Sequence, residues 1–273
     1  MNVKKELARF LAEDLGKGDV TASILTNKRI SAKIISRQRG VVAGVQFAKE
    51  IFLMNGCSAK TTKKNGSPVK PNQTVLIVSG PSRKILSCER TALNLLSRMS
   101  GIATQTSEMV RKIKSVNSKT DLYSTRKTAP GLRYFDKEAV VCGGGKKHRM
   151  TLGDMIMIKD NHIASEGSLV KLIQLAKKRK KTFEVEVETL ADAVLAATLG
   201  TPIIMLDNFT PTGIRKTVAA LKRLGLRNKV KLEVSGGINS QNIMQFAKTG
   251  VDMISVGFIT NSAKAIDFSL EVN

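Results

Sequence analysis

The sequence predicts an α/β protein in two parts: a small mixed α/β unit over the first hundred residues, then a parallel sheet built from repeated strand–helix units. Three observations predict it. From about residue 120 short apolar runs alternate with amphipathic stretches, and strand followed by helix, repeated, implies a parallel sheet, either a barrel or an open doubly wound sheet. Before that point the pattern is irregular, with Gly66, Pro68 and Pro71 as turn signals. Finally, 273 residues at 42% hydrophobic carry enough apolar side chain for one large domain or two ordinary ones.

In chain order, residues 1–16 read as an amphipathic helix whose Glu6, Glu13 and Asp14 set it apart from a signal peptide. Ile30–Arg39 alternates as a half-buried strand, with Ile30, Ala32 and Ile34 on one face. Val45–Met54 reads as a short helix and Thr74–Ser79 as a buried strand. Ser87 stands where it would cap a long helix through Ala92, Leu93, Leu96 and Met99, with Glu89 in its first turn. That helix leads towards residue 110, which divides the chain into domains 1–106 and 107–273 within a few residues. Whether the last segment packs back on the first domain is left open. Beyond the boundary, Leu122–Tyr123, Ala139–Cys142, Met155–Ile158, Phe183–Val187, Ile203–Leu206, Val230–Val234 and Met253–Val256 read as strands. Leu169–Lys178, Leu190–Leu199, Thr212–Leu224 and Ser240–Thr249 read as helices between them.

Composition removes several functions. The longest uncharged stretch, Ala193–Leu206, is broken by Gly200 and Pro202 and is shorter than the roughly 20 apolar residues that cross a bilayer. A cytoplasmic protein without a membrane partner is expected. Cys57, Cys88 and Cys142 are widely spaced and odd in number, so neither a disulfide framework nor a cysteine zinc site is supported. With only His148 and His162, a metal here is a hard cation on oxygen ligands. The net charge of +23 is spread along the chain, 18 basic and 6 acidic residues over 1–105 against 27 and 16 thereafter. Its densest run, Lys177–Lys181, reads as the solvated C-terminal end of a helix. There is no Trp and aromatics are 4%, so no platform for stacking bases is visible and no dedicated nucleic acid is expected. A basic nucleic-acid binding protein remains the competing class, with salt-dependent binding as its mark. A pocket for a strongly anionic small molecule suits the motifs better.

Those motifs lie where strands end. Thr125-Arg126-Lys127, Lys159-Asp160-Asn161, Glu188, Asp207-Asn208, Ser235-Gly236-Gly237 and Gly257 follow the apolar runs, and in a barrel such ends share the rim that carries active sites. Ser235–Gly237 and Val256–Phe258 follow the last two strands, where glycine lets backbone N–H groups approach a phosphate. Gly143–His148 fits neither the Walker nor the dinucleotide pattern. Phe183–Glu188 places Glu184, Glu186 and Glu188 on one face of a strand. Facing inward they need cations: Lys and Arg of neighbouring strands, and a divalent ion near Glu188 and Asp207. A plain amphipathic edge strand is the alternative. Arg126, Lys127, Arg133, Lys146, Lys147, His148, Arg149 and Lys159 concentrate between residues 125 and 160. Arginine suits two-pronged carboxylate recognition, and lysine a movable charge for phosphate.

The stretches Thr125–Arg133 (TRKTAPGLR), Gly143–Arg149 (GGGKKHR), Asp154–Ile163 (DMIMIKDNHI), Glu184–Leu190, Ile204–Phe209 and Leu232–Ile238 resemble the quinolinate phosphoribosyltransferases. Asp14–Thr21 and Glu89–Thr104 resemble that family's N-terminal domain. The resemblance implies an N-terminal α/β sandwich followed by an incomplete parallel α/β barrel of about seven strands. It implies transfer of a phosphoribosyl group from phosphoribosyl diphosphate to quinolinate, with decarboxylation. It also implies a homodimer or larger assembly, up to a hexamer, in which Arg90 reaches the neighbouring subunit's site. Arg126, His148, Arg149 and Lys159 would surround the quinolinate carboxylates. Lys127, Glu188, Asp207, Ser235, Gly236, Gly237, Val256, Gly257 and Phe258 would face the phosphoribosyl diphosphate, and Thr125 would bind substrate beside them. Lys127, Lys159, Glu188 and Asp207 would carry catalysis, and Glu188 and Asp207 would hold Mg²⁺ directly or indirectly. Lys147 and Thr151 depart from the Asn and Gly usual there. A related branch found in molybdenum-transport operons shares several motifs but departs from the Ile158–Ile163 segment (IKDNHI), intact in this chain.

Overall fold

In the computed structural model, which describes residues 2–179 and 181–272, the chain opens with helix α1 (Val3–Leu15). Asn2 caps it, accepting the Lys5 N–H at 3.2 Å, and Leu7 and Leu11, one turn apart, form its buried face. A single turn, α2 (Val20–Ser23), is capped by Asp19. There follow β1 (Arg29–Ser36), β2 (Gly40–Val41), α3 (Val45–Met54), β3 (Ser58–Thr61), β4 (Pro68–Val69) and β5 (Thr74–Pro81). Strand β1 pairs antiparallel with β5, and β5 with β3. Helix α4 (Ser82–Lys114) then runs for 33 residues. It starts where β5 ends, five residues before the expected cap. Ser87 is therefore inside the helix, and its hydroxyl donates to Asp19 at 2.7 Å.

Strand β6 (Asp121–Tyr123) is followed by α5 (Arg133–Cys142). The run Ala139–Cys142, expected as a strand, is helical. Phe135, Ala139 and Val140 recur at helical spacing and are buried together, and a run of four apolar residues has no periodicity by which a strand could be told from a buried helix. On the same helix the fully buried Asp136 accepts a two-pronged salt bridge from Arg98, both contacts 2.8 Å.

The remaining elements alternate as the sequence implies: β7 (Ile156–Ile158), α6 (Asp160–Glu166), α7 (Leu169–Lys178), β8 (Phe183–Val187), α8 (Leu190–Thr198), β9 (Ile203–Asp207), α9 (Pro211–Arg223), β10 (Lys231–Ser235), α10 (Ile243–Ala247), β11 (Met253–Ser255) and α11 (Phe258–Asn261). In the basic run at the end of α7, Lys177, Lys178 and Arg179 are exposed; Lys180 lies outside the described residues. The strands form one parallel sheet in the order β6-β11-β10-β9-β8-β7. From β7 onward each lies beside the next in the chain, and the first, β6, lies beside the last, β11. That is the order of a barrel with one gap, between β6 and β7, where Lys146 adds a parallel bridge to Tyr123. Six of the seven expected runs are thus strands. The last strand, β12 (Phe268–Val272), pairs antiparallel with β1.

Two compact units result. The first comprises the chain up to Ser107, Tyr134–Gly144 and the chain from Ser262; the second comprises Glu108–Arg133 and Gly145–Asn261. In the first, a four-stranded sheet β12-β1-β5-β3 carries α1, α3 and most of α4, with Ile34, Leu76, Phe52, Ile85 and Leu96 fully buried in its core. In the second, the apolar faces of the parallel strands are buried: Val185, Ile204, Leu232 and Ile254 are at 0% exposure, as strands covered on both faces require.

Candidate active site

Because every strand of the second unit's sheet is parallel, its C-terminal ends converge on one side. A cavity of about 440 Å³ opens there. Thr125, Arg126 and Lys127 reach it from the end of β6, Lys159 from β7, Asp207 from β9 and Ser235 from β10, and His148 and Arg149 come from the loop after α5. Eight of the residues named from the sequence therefore share one cavity. Ser124, Met157, Glu186, Met205, Glu233 and Ser255 complete its wall. The inward face of β8 carried a signal for Glu186. Glu233 had none beyond its place in the Leu232–Ile238 stretch, because a lone Glu in an apolar run does not declare which face it takes.

Strand β8 lies between β7 and β9, so it is not an edge strand, and its carboxylates meet cations as expected. Lys159 Nζ forms an ion pair with Glu186. Deeper in, His148 Nε2 stands 3.2 Å from Glu184 Oε2 and 3.2 Å from Glu233 Oε2, with both glutamate side chains fully buried. Burial pulls the His148 pKa down, but hydrogen bonds and charge from the two glutamates outweigh it and carry the group up to about 9. Burial likewise pushes Glu184 up to about 7, against the hydrogen bond from His148. The three groups hold a proton more tightly together than apart.

Arg126 and Arg149 carry the opposite imbalance. Burial, and then the charge of Arg126, lower the Arg149 pKa. Arg126 Nε is buried without a hydrogen-bond partner in the protein. Two like charges drawn together with a buried donor left over make a site for an anion, and guanidinium planes favour a carboxylate. Arg133, counted in the same basic cluster, is turned aside to donate to Met150 O at 3.1 Å.

The loops expected to serve phosphate flank this wall. Gly257 is where the backbone crowds the cavity lysine: a Cβ there would lie 2.8 Å from Lys127 Cδ. Gly236 has φ +96°, and a Cβ on it would collide with the Asn208 amide and lie 2.8 Å from that residue's backbone nitrogen. Asn208, itself left-handed at φ 56°, donates through Nδ2 to Asp207 Oδ2 at 2.7 Å. Asn208 thus holds the Asp207 carboxylate and Gly236 leaves room for Asn208, a support role that sequence reasoning did not give it. Gly236, Gly237, Val256, Gly257, Phe258 and Glu188 do not line the cavity. Glu188 is exposed, one step beyond the Val187–Leu206 pair of the β8–β9 register and so level with Asp207. Two carboxylates at neighbouring strand ends form an oxygen donor set that suits Mg²⁺, an ion that keeps water and substrate oxygens as its other ligands. Arg90 belongs to the first unit and is exposed on α4.

Comparison with known proteins decides what this site belongs to. The model of the quinolinate phosphoribosyl transferase C-terminal domain matches residues 102–271, and that of the N-terminal domain residues 19–100. The chain belongs to the quinolinate phosphoribosyltransferase family. A relative from Archaeoglobus fulgidus, named a probable nicotinate-nucleotide pyrophosphorylase (carboxylating), is 48% identical over 93% of this chain and 98% of its own. One of the same name from Methanothermobacter thermautotrophicus is 44% identical over 100% and 98%. The solved structure of the nicotinate-nucleotide pyrophosphorylase from Francisella tularensis superposes with a TM-score of 0.93 at 40% identity, over 99% of this chain and 96% of that one. The family's incomplete barrel is the sheet described above. Of the two departures from the family pattern, Thr151 settles into its loop without strain: its N–H and its hydroxyl both donate to Asp154, at 3.0 and 2.7 Å. It is not among the residues with positive φ, so glycine's freedom is not required there.

Proposed function

We infer that the cavity carries out its family's reaction: the ring nitrogen of quinolinate takes the phosphoribosyl group of phosphoribosyl diphosphate, diphosphate departs, and decarboxylation gives nicotinate mononucleotide. The chain is a pentosyltransferase of NAD biosynthesis. The paired guanidiniums of Arg126 and Arg149, with a buried donor to spare, carry the reading. They bind the carboxylates of a doubly acidic ring, and Lys159 closes the ring's other side while paired to Glu186. Fixing the ring before attack supplies a large part of the acceleration.

Across the cavity, Lys127, Asp207 and Ser235 receive the sugar and its phosphates, supported by the Gly236–Gly237 and Val256–Phe258 loops. Thr125 holds Lys127 from behind, accepting its N–H at 3.0 Å. Glu188 and Asp207 would hold Mg²⁺, which when bound supplies positive charge to the departing diphosphate. Attack makes the ring nitrogen cationic; its charge stabilises the electron pair left on the adjacent ring carbon as carbon dioxide is lost, and a proton from water adds to that carbon to complete nicotinate mononucleotide. No covalent bond to the enzyme is required.

The assembly we propose is a homodimer or larger, with Arg90 reaching the partner's site. Support comes from its surroundings on α4: one turn earlier Ser87 holds Asp19, and beside Asp19 Val20 and Ile24 are each 82% exposed, an apolar surface that a partner would cover. No described helix is long and apolar enough to cross a membrane, and the substrates suit a cytoplasmic setting.

The test is direct. The protein with quinolinate, phosphoribosyl diphosphate and Mg²⁺ yields nicotinate mononucleotide and carbon dioxide. Arg126→Ala or Arg149→Ala lowers quinolinate turnover at least about a hundredfold, the cost of truncating one partner of a buried charge contact, while the circular dichroism spectrum is unchanged. Full turnover in a folded Arg149→Ala variant refutes the assignment.

A further inference from the structure

We propose that Glu184 and Glu233 are positioning residues of the acid pocket: gripping Nε2 of His148 from two strands, they aim the ring so that Nδ1 holds the Arg149 amide, and His148 serves as a brace for Arg149, not as a donor to substrate. The proposal rests on the reading of Arg126 and Arg149 as the pair that binds the acid.

An imidazole whose Nδ1 accepts a hydrogen bond carries its one ring proton on Nε2, so the extra proton the cluster holds lies on the glutamates and both ring nitrogens are taken. Nε2 faces the two glutamate oxygens at 3.2 Å each. Nδ1 accepts the Arg149 N–H at 2.8 Å, which leaves that nitrogen no proton to offer a substrate. The contact depends on an uncommon backbone: His148 has φ 52°, a left-handed conformation that a side chain resists unless its surroundings enforce it. Ser124 anchors the preceding residue, donating to Lys147 O at 2.8 Å, and the two glutamates hold the ring on the other side. The Arg149 guanidinium is tied at its far end, Nη1 donating to Met155 O at 3.1 Å. With main chain and head group both anchored, its direction into the cavity is set before substrate arrives.

The glutamates are costly where they stand, and the cost argues for a role. Both side chains are fully buried; Glu233 Oε2 takes the hydrogen bond with Nε2, Glu184 Oε2 meets it as an ion-pair contact, and neither oxygen of Glu184 nor Glu233 Oε1 has a hydrogen-bond partner of its own. Two buried carboxylates with lone pairs unused are destabilising unless they fix something else. The other groups around the ring do not replace them. The Tyr123 ring meets the imidazole edge-on at 6.0 Å between centroids, Lys146 stands over Tyr123, and Glu186 is occupied by Lys159.

Two measurements test the brace. The first uses the unaltered enzyme with ¹⁵N-labelled histidine, in which only His148 and His162 report; His162→Gln assigns them. His148 Nδ1 is expected to show the shift of an unprotonated acceptor and Nε2 that of a protonated nitrogen, before and after quinolinate saturates the site. A proton appearing on Nδ1 as quinolinate binds overturns the proposal. The second compares a Glu184→Met/Glu233→Met double variant with its Gln counterpart. The Met form raises KM for quinolinate about tenfold, the scale of one lost orienting hydrogen bond, while KM for phosphoribosyl diphosphate stays within about twofold and the Gln form recovers most of the loss. An unchanged quinolinate KM in a folded Met variant, beside a raised one in Arg149→Ala, sinks the brace alone. An unchanged KM in Arg149→Ala sinks the pocket reading beneath it.

Discussion

The proton held among His148, Glu184 and Glu233 ties stability to pH, and its sign can be worked out. His148 titrates near 6.5 when unperturbed and is carried up to about 9 in the fold; Glu184 rises from 4.5 to about 7. Both shifts are upward, so the cluster's contribution is fully present below the unfolded value and is lost as pH rises through the folded one. With the proton on the ring, the interval from 6.5 to about 9 amounts to about 3 kcal/mol. With Nδ1 occupied by the Arg149 N–H, the proton sits on the carboxylates, and the rise of Glu184 from 4.5 to about 7 likewise amounts to about 3 kcal/mol, lost at lower pH. The expected loss is therefore roughly 3 kcal/mol, between about pH 6.5 and 9 in the first case and between about pH 4.5 and 7 in the second. A second trend runs the other way: the chain carries +23 with a pI near 10.2, so raising pH relieves self-repulsion and stabilises it. A Glu184→Gln/Glu233→Gln variant feels that relief equally but lacks the cluster, and it serves as the reference. Urea unfolding followed by circular dichroism, suited to a protein without Trp, gives both curves. The stability of the unaltered protein relative to the variant should fall by about 3 kcal/mol between about pH 4.5 and about pH 9, and the pH at which it falls tells ring from carboxylate. Parallel curves would refute the reasoning.

Two further outcomes can be checked on the site and the assembly. Gly236→Ala forces a side chain onto φ +96° and against Asn208, costing about 1–2 kcal/mol in backbone strain alone, and by displacing the support of Asp207 it raises KM for phosphoribosyl diphosphate more than KM for quinolinate. Equal effects on both would disconnect Asn208 from the sugar side. Arg90→Ala and Lys159→Ala, each weakly active alone, should regain turnover when their subunits are mixed, since one site in the hybrid then carries both residues; no recovery after confirmed subunit exchange argues against a shared site.

Much of this molecule was legible in the chain. Alternating runs gave six of the parallel strands, and the polar residues that close them, from Arg126 to Ser235, are the ones the cavity gathers, because a strand's end is set by local sequence and parallel strands all end on one side. The alternation of Phe183–Val187 put Glu184 and Glu186 on one face, and the place of β8 inside the sheet, not at its edge, is what required cations for them. Local signals failed where two answers satisfy the same rule. Ala139–Cys142 is buried as a helix and would be buried equally as a strand, and Ser87 has the chemistry of a helix cap but sits within a helix whose start is set by the end of β5.

What only the tertiary structure decided is which charge meets which. That Lys159 takes Glu186 while His148 lies between Glu184 and Glu233 follows from β7, β8 and β10 standing in the order β10-β9-β8-β7, a long-range arrangement that no spacing along the chain encodes. The sequence by itself determined the chemical inventory and the rim it occupies; the sheet order determined the pairings, because side chains 27 to 85 positions apart meet only after the strands have wrapped.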